Sequence, residues 1–325
     1  MSNNNDPIKV SIEDTGQRLD KFVASRTENL SFVAIQKLLR TGQIRIDGKR
    51  AVGKKRIETG NSIRIPSIFR NLKKSKFISY TELNDDLQNF VNDSILYKDK
   101  EIVAVNKPAG LAVQGGSRIY DHVDGLLDYF RFESPYRPQL LHRIDKETSG
   151  VLLLSRKPDT TRRLSEAFRN REVKKIYWAF VIGHMPKTSG SINAPLATIN
   201  SKNFERAAFD LDGKECKTIY NVLWKGDFKN TKLSLVEFLP ETGRKHQIRA
   251  HCNHLGCSII GDNKYINKSH RELKHLHQFS SNMQLHAREI GIPDIEGITL
   301  RIKAPIPEHM LYIMEVLKLS KDILN

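Results

Sequence analysis

Hydrophobic residues near the N-terminal end of the chain recur at helical spacing in two short segments. The apolar positions on the two predicted helical faces are Leu19, Phe22 and Val23, then Phe32, Ile35 and Leu39. Ser31 is a suitable N-cap for the second helix, and Gly42 follows its expected end. Residues 43–46 and 63–65 are strand-like, and Asp47-Gly48 between them predicts a turn. The pattern therefore predicts a small module of two helices and a hairpin over residues 16–76.

A larger domain is predicted over residues 93–325, where apolar runs alternate irregularly with segments of helical spacing. Buried strands are expected at residues 102–105, 151–154, 177–182 and 233–239, and helices at 160–170 and 245–255. This alternation favours an α+β fold, with a mixed, largely antiparallel sheet and flanking helices, over a doubly wound fold. Residues 77–92 are polar and weakly patterned and are expected to form a linker, and residues 1–15 to be loosely ordered.

The formal net charge of +16 predicts attraction to a polyanion, such as nucleic acid or an anionic membrane face. Residues 16–76 hold 16 Lys/Arg against 4 Asp/Glu, whereas the rest of the chain holds 37 against 33. Three quarters of the positive excess therefore lies in the predicted module. A solvated face without a partner is the alternative, but this concentration of charge favours contacts with phosphates.

Composition and hydropathy favour a folded protein in water: 39% of the residues are hydrophobic and 28% are charged. No apolar run approaches the roughly 20 residues that span a bilayer, and residues 1–10 lack the apolar core of a signal peptide. We therefore expect a cytoplasmic protein without a membrane partner. Cys216, Cys252 and Cys257 are too sparse and uneven in number for a disulfide framework, so reduced thiols are expected.

The densest group of candidate catalytic residues is LHRIDKETSG at residues 141–150, which lies between two apolar runs and is predicted to form a loop. Asp145 has two cationic neighbours in the sequence, Arg143 and Lys146, and positive charge nearby favours an ionised carboxylate. Such a carboxylate can act as a nucleophile or as an electrostatic stabiliser. From spacing alone a charged surface turn is the other interpretation, since charged turns are common.

Residues 242–262, TGRKHQIRAHCNHLGCSIIGD, are expected to contain a helix with two different faces. His246, Arg249 and Asn253 share the face that can turn toward the loop at residues 141–150. The face that should pack inward consists of Ile248, Cys252 and Leu255. Four potential zinc ligands also occur here, but a helix directs them apart and paired CxxC spacing is missing, so no metal is expected. They are His251, Cys252, His254 and Cys257.

Four stretches of the larger domain resemble the RluA-type pseudouridine synthases. HRIDKETSGVLLL is similar to the family motif HRLDxxTSGLLL, and Ile144 replaces its leucine. The other three stretches are ILYKDKEIVAVNKPAGLAV, KKIYWAFV and TGRKHQIRAHCNHLGCSIIGD, the last with Lys245 for threonine and Ser258 for proline. VQGGS at residues 113–117 is most similar to the RluC branch, with Gln114 in place of histidine. The resemblance implies the pseudouridine synthase fold.

The same resemblance implies roles for individual residues. Asp145 corresponds to the catalytic aspartate, Tyr177 to an active-site tyrosine, and Arg249 to the basic residue that pairs with the aspartate. A tyrosine ring can stack on an extruded base, and its hydroxyl can serve as an acid or a base. Further contacts with RNA are expected from His142, Arg143, Arg244, His246, Ile248 and Lys107.

The N-terminal module resembles the S4 RNA-binding domain through GQRLDKFV, IQKLLRTGQIRIDGKR and GNSIRIP. The resemblance covers about fifty residues and implies RNA binding by a small S4-like α/β module. Basic side chains that are expected to contact phosphates without reading sequence are Lys37, Arg40, Lys49, Arg50, Lys54, Lys55 and Arg56.

Together the resemblances imply isomerisation of uridines in 23S ribosomal RNA, with Asp145 attacking a flipped-out uridine at the ribose or at the ring. We expect the protein to be a monomer. Exchange of bonds within one nucleotide needs no cofactor and no metal, and the sequence carries no cofactor motif. The alternative is a non-catalytic RNA-binding or ribosome-assembly protein. Such a binder has no need of Asp145, because a carboxylate in a cationic loop repels phosphate.

Overall fold

The computed structural model describes residues 6–27, 30–69, 85–115, 121–201, 204–279, 282–293 and 299–320. The N-terminal module consists of β1 Ile8–Lys9, α1 Leu19–Ala24, α2 Phe32–Arg40, β2 Arg45–Ile46 and β3 Ser62–Arg64. Within the described ranges, its three strands form an antiparallel sheet in the order β1-β3-β2. The two helices and the sheet enclose a separate hydrophobic core.

The predicted core of the module is confirmed with one exception. Leu19, Phe22, Val23, Ile35 and Leu39 are buried together. Phe32, however, is 63% exposed, and Leu38 is buried in the module core instead. The prediction for Phe32 was wrong because this residue begins α2. A side chain at the first position of a short helix can extend past the core against which the rest of the helix packs.

Local signals at chain turns are confirmed. Ser31 Oγ accepts a hydrogen bond from the Ala34 backbone N–H at 3.2 Å, and Gly42 follows α2 with φ +73°. Asp47 and Gly48 both have positive φ, and the backbone groups flanking them are hydrogen-bonded to each other. These side chains and glycines set the ends of α2 and the direction of the following turn.

Two predicted irregular segments are structured instead. β1 pairs with β3, and Val10 is buried in the module core, so the prediction of loose order was wrong for residues 8–15. In the predicted linker, residues 85–92 form most of α3, Asp85–Asp93, whose Leu87 and Phe90 enter the core of the larger domain. That linker prediction was wrong there because α3, DDLQNFVND, carries few apolar residues. The predicted module end at residue 76 and residues 77–84 lie outside the described residues.

The larger domain is built on one extended sheet. The strands of the extended sheet are β4 Ile95–Lys98, β5 Ile102–Lys107, β6 Gln139–Leu140, β7 Ser149–Ser155, β8 Lys174–Ile182, β9 Ser189–Asn193, β12 Lys217–Phe228, β13 Thr231–Pro240, β14 Leu285–Pro293 and β15 Thr299–Lys303. A separate hairpin consists of β10 Leu196–Ser201 and β11 Phe204–Phe209. In the described residues, ten strands follow the order β4-β5-β7-β14-β8-β13-β12-β9, with β15 on β14 and β6 on β7. The pair β7–β14 is parallel and the other described pairs are antiparallel. The predicted mixed, largely antiparallel α+β fold is confirmed.

Helices cover both faces of this sheet, which explains why its central strands are apolar on both sides. Besides α3, the α-helices described in this domain are α4 Val123–Leu126, α5 Pro158–Arg169, α6 Gln247–His254, α7 Lys268–Arg271 and α8 Glu308–Val316. Ala179 and Val181 of β8 pack with Ile248 of α6, whereas Phe180 packs in the cluster that contains Met310 of α8. Within the described ranges, no helix has both the length and the apolar character needed to cross a bilayer.

Polar groups join the module to the larger domain. Lys21 Nζ of α1 is 2.6 Å from Asp124 Oδ2 of α4. Arg56 Nη1 donates to Gln139 Oε1 of β6 at 2.9 Å and to the Gly16 carbonyl at 2.8 Å. Gln139 pairs with Ser155 and precedes the loop at residues 141–148 by two residues, so the module contacts the larger domain where this loop begins.

Gly150 marks the point where this loop enters the sheet. It lies opposite Ala287 in the parallel β7–β14 pair, with φ +109°. A Cβ atom at this position would lie 2.2 Å from the Ala287 carbonyl oxygen, which belongs to the backbone of a central strand. The close approach of the two strands therefore requires glycine.

We expect Gly150→Ala to lower the free energy of unfolding by about 3 kcal/mol or more, because the substitution combines a left-handed backbone with a clash against β14. Gly256→Ala is the matched control in the same domain, since Gly256 also has positive φ, +74°, but an added Cβ meets nothing within 4 Å. It should cost about 1 kcal/mol. Urea denaturation measures the free energy of unfolding of both variants. An equal decrease in the two variants would contradict the steric argument.

Candidate active site

A cleft of about 950 Å³ opens where the loop at residues 141–148 meets the start of α6. The structure brings together here the three residues that the sequence singled out for catalysis, Asp145, Tyr177 and Arg249. Eight of the described lining residues are Lys or Arg and two are Asp or Glu, so a positive field surrounds the carboxylate of Asp145. A second cavity of about 600 Å³ also reaches Asp145 and is lined in part by Arg206, Asp262 and Lys264.

Asp145 is placed so that its two oxygens have different surroundings. Oδ2 accepts a hydrogen bond from Arg249 Nη1 at 3.0 Å. Oδ1 lies 3.9 Å from His246 Nε2. The side chain is 25% exposed, so its carboxylate is reachable from the cleft while one oxygen is held by a cation. A turn supports this placement, since Thr148 N–H donates to the Asp145 carbonyl at 3.1 Å.

Arg249 is itself held by a second carboxylate, Asp262, which the sequence analysis did not assign. Arg249 Nε and Nη2 donate to the two oxygens of Asp262 at 2.7 and 2.8 Å. Burial alone would lower the pKa of Arg249, but hydrogen bonds and charge from Asp262, with Asp145, raise it above its ordinary value. The guanidinium therefore stays charged, and its orientation is set by a buried bidentate pair. Asp262 ends the quoted GD of the last motif, which was the available signal.

Tyr177 and Ile248 form an apolar part of the cleft wall. Tyr177 lies on β8 opposite Phe238 and Ala287, and its side chain is half-buried. Burial, with the nearby negative charge of Asp145, raises the pKa of the Tyr177 hydroxyl well above its ordinary value. The phenol therefore stays protonated at neutral pH, which suits a hydrogen-bond donor. A raised pKa makes it a weak acid and leaves no phenolate to act as a base, so it disfavours both proton-transfer roles expected from the sequence.

Lys107 does not fit its predicted contact with RNA. Its side chain is fully buried at the end of β5, and Nζ donates to the carbonyls of Pro108, Leu111 and Lys146 at 2.7, 2.8 and 2.9 Å. Burial lowers the pKa of Lys107 to about 7, with smaller opposing effects from Glu147 and Asp145. The prediction is corrected: Lys107 ties the backbone next to Asp145 to the turn after β5, because a side chain with no exposed surface cannot reach a phosphate.

His142 lines the cleft, and its ring is fixed by contacts with Leu153 and Phe168. Its Nε2 accepts a hydrogen bond from the Leu153 backbone N–H at 3.0 Å, and its ring stacks on Phe168. Burial, with the positive charge of Lys175, lowers the pKa of His142 to about 3. The ring is therefore neutral, so any contact that it makes with RNA involves no ionic attraction.

Arg143, Arg244 and the seven basic residues predicted in the module are exposed. Arg143 Nη1 is 3.3 Å from Gln114 Oε1, and Arg244 Nε is 3.3 Å from the Glu215 carbonyl. Arg56 differs from the other six predicted residues because its guanidinium already binds Gln139 of the larger domain. Of the VQGGS stretch, Gly116 and Ser117 lie outside the described residues.

The cysteine–histidine group of residues 251–257 serves packing. His251 is fully buried; its Nδ1 lies 2.9 Å from Thr218 Oγ1 and its Nε2 lies 3.1 Å from the Ala194 carbonyl. Cys252 is buried in the core with Ile248. His251 and Cys252 are therefore already committed to other partners, in agreement with the predicted divergence of side chains along the helix.

Comparison with known proteins adds independent information. Residues 101–254, which include Asp145, Tyr177 and Arg249, match the family described as RNA pseudouridylate synthase. "Ribosomal large subunit pseudouridine synthase C" of Rickettsia typhi is 33% identical over 89% of this chain and 94% of its own length. The protein of the same name from Buchnera aphidicola subsp. Baizongia pistaciae is 38% identical over 87% of this chain and 88% of its own length.

A solved structure is also similar. The human "RNA Pseudouridylate Synthase Domain Containing 4" aligns with a TM-score of 0.59 and 27% identity, covering 72% of this chain and 97% of its own. The predicted resemblance to pseudouridine synthases of the RluC branch is thereby confirmed. The matched family region does not extend to the N-terminal module, so its S4-like character stays a prediction.

The correction for Lys107 can be tested directly. We expect Lys107→Met to lower the free energy of unfolding by about 3 kcal/mol, because three carbonyls beside the Asp145 loop lose their donor. RNA affinity of the folded variant should keep the same slope against salt concentration, since no phosphate contact is removed. Lys157→Met, at an exposed position, is the control for loss of a lysine charge. A stable variant with a reduced salt slope would restore the original prediction.

Proposed function

The chain belongs to the RNA pseudouridine synthase family, and from this premise we propose that it isomerises uridines of 23S ribosomal RNA to pseudouridine. The observation that carries the proposal is the placement of Asp145, an accessible carboxylate paired with Arg249 in an otherwise positive cleft. Relatives from Rickettsia and Buchnera that align over most of their length are named as synthases of the large ribosomal subunit, which supports this substrate.

Binding of RNA is favoured by the charge around the cleft. Phosphates on either side of a target nucleotide gain from the lysines and arginines at the rim, which include Arg143 and Arg244. The target uridine leaves its stack and enters the cleft, where the Tyr177 ring and Ile248 offer apolar contact for the base. Unstacking costs a few kcal/mol, so we propose single-stranded or loop uridines as targets.

Asp145 then attacks the uridine through the oxygen that Arg249 does not hold. The N1–C1′ glycosidic bond breaks and the uracil rotates within the cleft. A bond then forms between C5 and C1′, and the bond between Asp145 and the nucleotide breaks, which returns the free carboxylate. The C5 proton is lost and N1 gains a proton, so the product is an isomer and no electron acceptor is consumed. Tyr177, with its protonated hydroxyl, is suited to donate a hydrogen bond during these steps.

The N-terminal module is proposed to hold the RNA outside the cleft. Its basic side chains are exposed, and Lys21 and Arg56 bind Asp124 and Gln139 of the larger domain. One chain supplies Asp145, Tyr177 and Arg249 to the same cleft, so a monomer is the proposed acting unit. Ribosomal RNA as substrate implies a cytoplasmic location. A purely RNA-binding function is disfavoured, because Asp145 would only repel phosphate.

The first test uses ribosomal RNA that carries tritium at uridine C5. The wild-type protein should release tritium, and Asp145→Asn should reduce release by at least about a thousandfold, because the amide is not a nucleophile. Asparagine keeps an acceptor for Arg249, so the fold is preserved. Asp159→Asn, at an exposed carboxylate on α5, is the control and should retain full activity. No release by the wild type would overturn the proposed function, and full release by Asp145→Asn would overturn the nucleophile.

The second test concerns the module. Replacing Lys49, Lys54 and Lys55 by glutamine should weaken RNA binding and lower the slope of log K against log salt by about 2, from loss of roughly three phosphate contacts. The control replaces Lys225, Lys229 and Lys232, three exposed lysines at the turn between β12 and β13, which lies at the opposite end of β13 from the cleft. Equal slopes for both triple variants would show that the module does not contact the backbone of the RNA.

A further inference from the structure

His246 occupies a strained backbone position beside the catalytic carboxylate. It immediately precedes α6 and has φ +54°, in the left-handed region that residues other than glycine rarely adopt. Such strain costs of order 1 kcal/mol and is retained where the surrounding contacts enforce it. The His246 side chain is 11% exposed and its Nε2 is 3.9 Å from Asp145 Oδ1. The strained conformation therefore directs one ring nitrogen toward Asp145.

The other ring nitrogen of His246 is bound to Tyr265, a residue that the sequence analysis did not single out. Tyr265 Oη accepts a hydrogen bond from the Ala207 backbone N–H at 2.8 Å and lies 2.8 Å from His246 Nδ1. A backbone N–H can only donate, so it occupies a lone pair of the hydroxyl. Among the described residues, His246 Nδ1 is then the partner left for the hydroxyl proton, and Nδ1 is the acceptor.

This hydrogen-bond direction decides where the proton of His246 lies. Burial lowers the pKa of His246 to about 4, although the charge of Asp145 acts in the opposite sense, so the ring is neutral at neutral pH. A neutral imidazole carries one N–H, and with Nδ1 as acceptor it is on Nε2. The N–H therefore faces Oδ1 of Asp145, the oxygen that Arg249 does not bind. The opposite tautomer would set a lone pair against a negative oxygen.

We propose that Tyr265 is a positioning residue, which fixes His246 as the Nε2–H tautomer so that this N–H faces the attacking oxygen of Asp145 across 3.9 Å. The inference rests on the proposed function for its catalytic meaning. Arg249 holds one carboxylate oxygen and His246 orients the other. The same N–H stabilises the negative charge that returns to Asp145 when its bond to the nucleotide breaks.

The tautomer is measured in the free protein by ¹⁵N NMR of histidine-labelled enzyme, with the His246 signals identified by their absence from His246→Asn. The wild type should show Nε2 protonated and Nδ1 unprotonated. In Tyr265→Phe the donor to Nδ1 is gone, and the two nitrogens should shift toward a tautomer mixture. A protonated Nδ1 in the wild type, or unchanged shifts in Tyr265→Phe, would overturn the proposal.

Activity separates hydrogen bonding from backbone strain. Tyr265→Phe should lower kcat about tenfold with KM changed less than about twofold, from loss of one oriented donor to a charged group. The side-chain amide N–H of glutamine can extend as far from the backbone as histidine Nε2. The kcat of His246→Gln should therefore stay within about threefold of the wild-type value. Asparagine tolerates positive φ better than histidine, but its side chain is too short to bring an N–H to the same position. The kcat of His246→Asn should therefore fall as far as that of Tyr265→Phe. Wild-type activity in His246→Asn would overturn the donor role.

Tyr97→Phe is the matched control, because the Tyr97 hydroxyl donates to Asp99 at 3.0 Å and Tyr97 lines neither cavity. It should leave kcat and the His246 shifts unchanged. Failure of the Tyr265 proposal can be distinguished from failure of the proposed function. The tautomer of His246 is measured without RNA, whereas the proposed function fails if the wild-type protein releases no tritium. If Tyr265→Phe loses stability through the unpaired Ala207 N–H, the His246 variants still decide the question.

Discussion

The guanidinium of Arg249 binds two carboxylates at once, and the active site depends on this shared contact. Asp262 takes two of its N–H donors in a buried bidentate pair, and Asp145 takes a third from the cleft side. Loss of either carboxylate would leave part of the buried Arg249 guanidinium without an acceptor, at a large desolvation cost. Arg249, Asp262 and Asp145 therefore stabilise one another as a group of three. Asp145 therefore faces a guanidinium whose orientation Asp262 sets from the buried side.

Backbone contacts then hold the loop that carries Asp145. Gly150 lets β7 approach β14, and Lys107 binds the Lys146 carbonyl directly after the catalytic aspartate. Both act on main-chain atoms, which leaves the side chains of the loop available to the cleft. A loop held by the sheet at Gly150 and by the buried Lys107 amine at the Lys146 carbonyl can position a reactive group closely, because little freedom is left to lose on binding.

Charge is distributed so that attraction and chemistry are separated in space. Exposed lysines and arginines on the module and at the cleft rim can neutralise phosphates, whereas the buried ionic groups Arg249 and Asp262 are matched to each other. His142 and His246 are both neutral, since burial lowers the pKa of each ring. In this pseudouridine synthase the carboxylate of Asp145 thus lies beside a permanently charged guanidinium and a neutral imidazole. Lys107, whose pKa burial lowers to about 7, contacts the loop through a main-chain carbonyl.

The sequence by itself determined what depends on neighbours along the chain. Helical spacing identified the faces of α1 and α2, Ser31 and Gly42 identified helix ends, and the HRID motif identified Asp145. It did not determine that Lys107 is buried, that Phe32 is exposed, or that α3 belongs to the core. Those properties depend on which elements cover each residue. Pairing of Arg249 with Asp262, and of His246 with Tyr265, was likewise decided only by the tertiary structure, because the geometry of a hydrogen bond between separate segments leaves no periodic trace in the sequence.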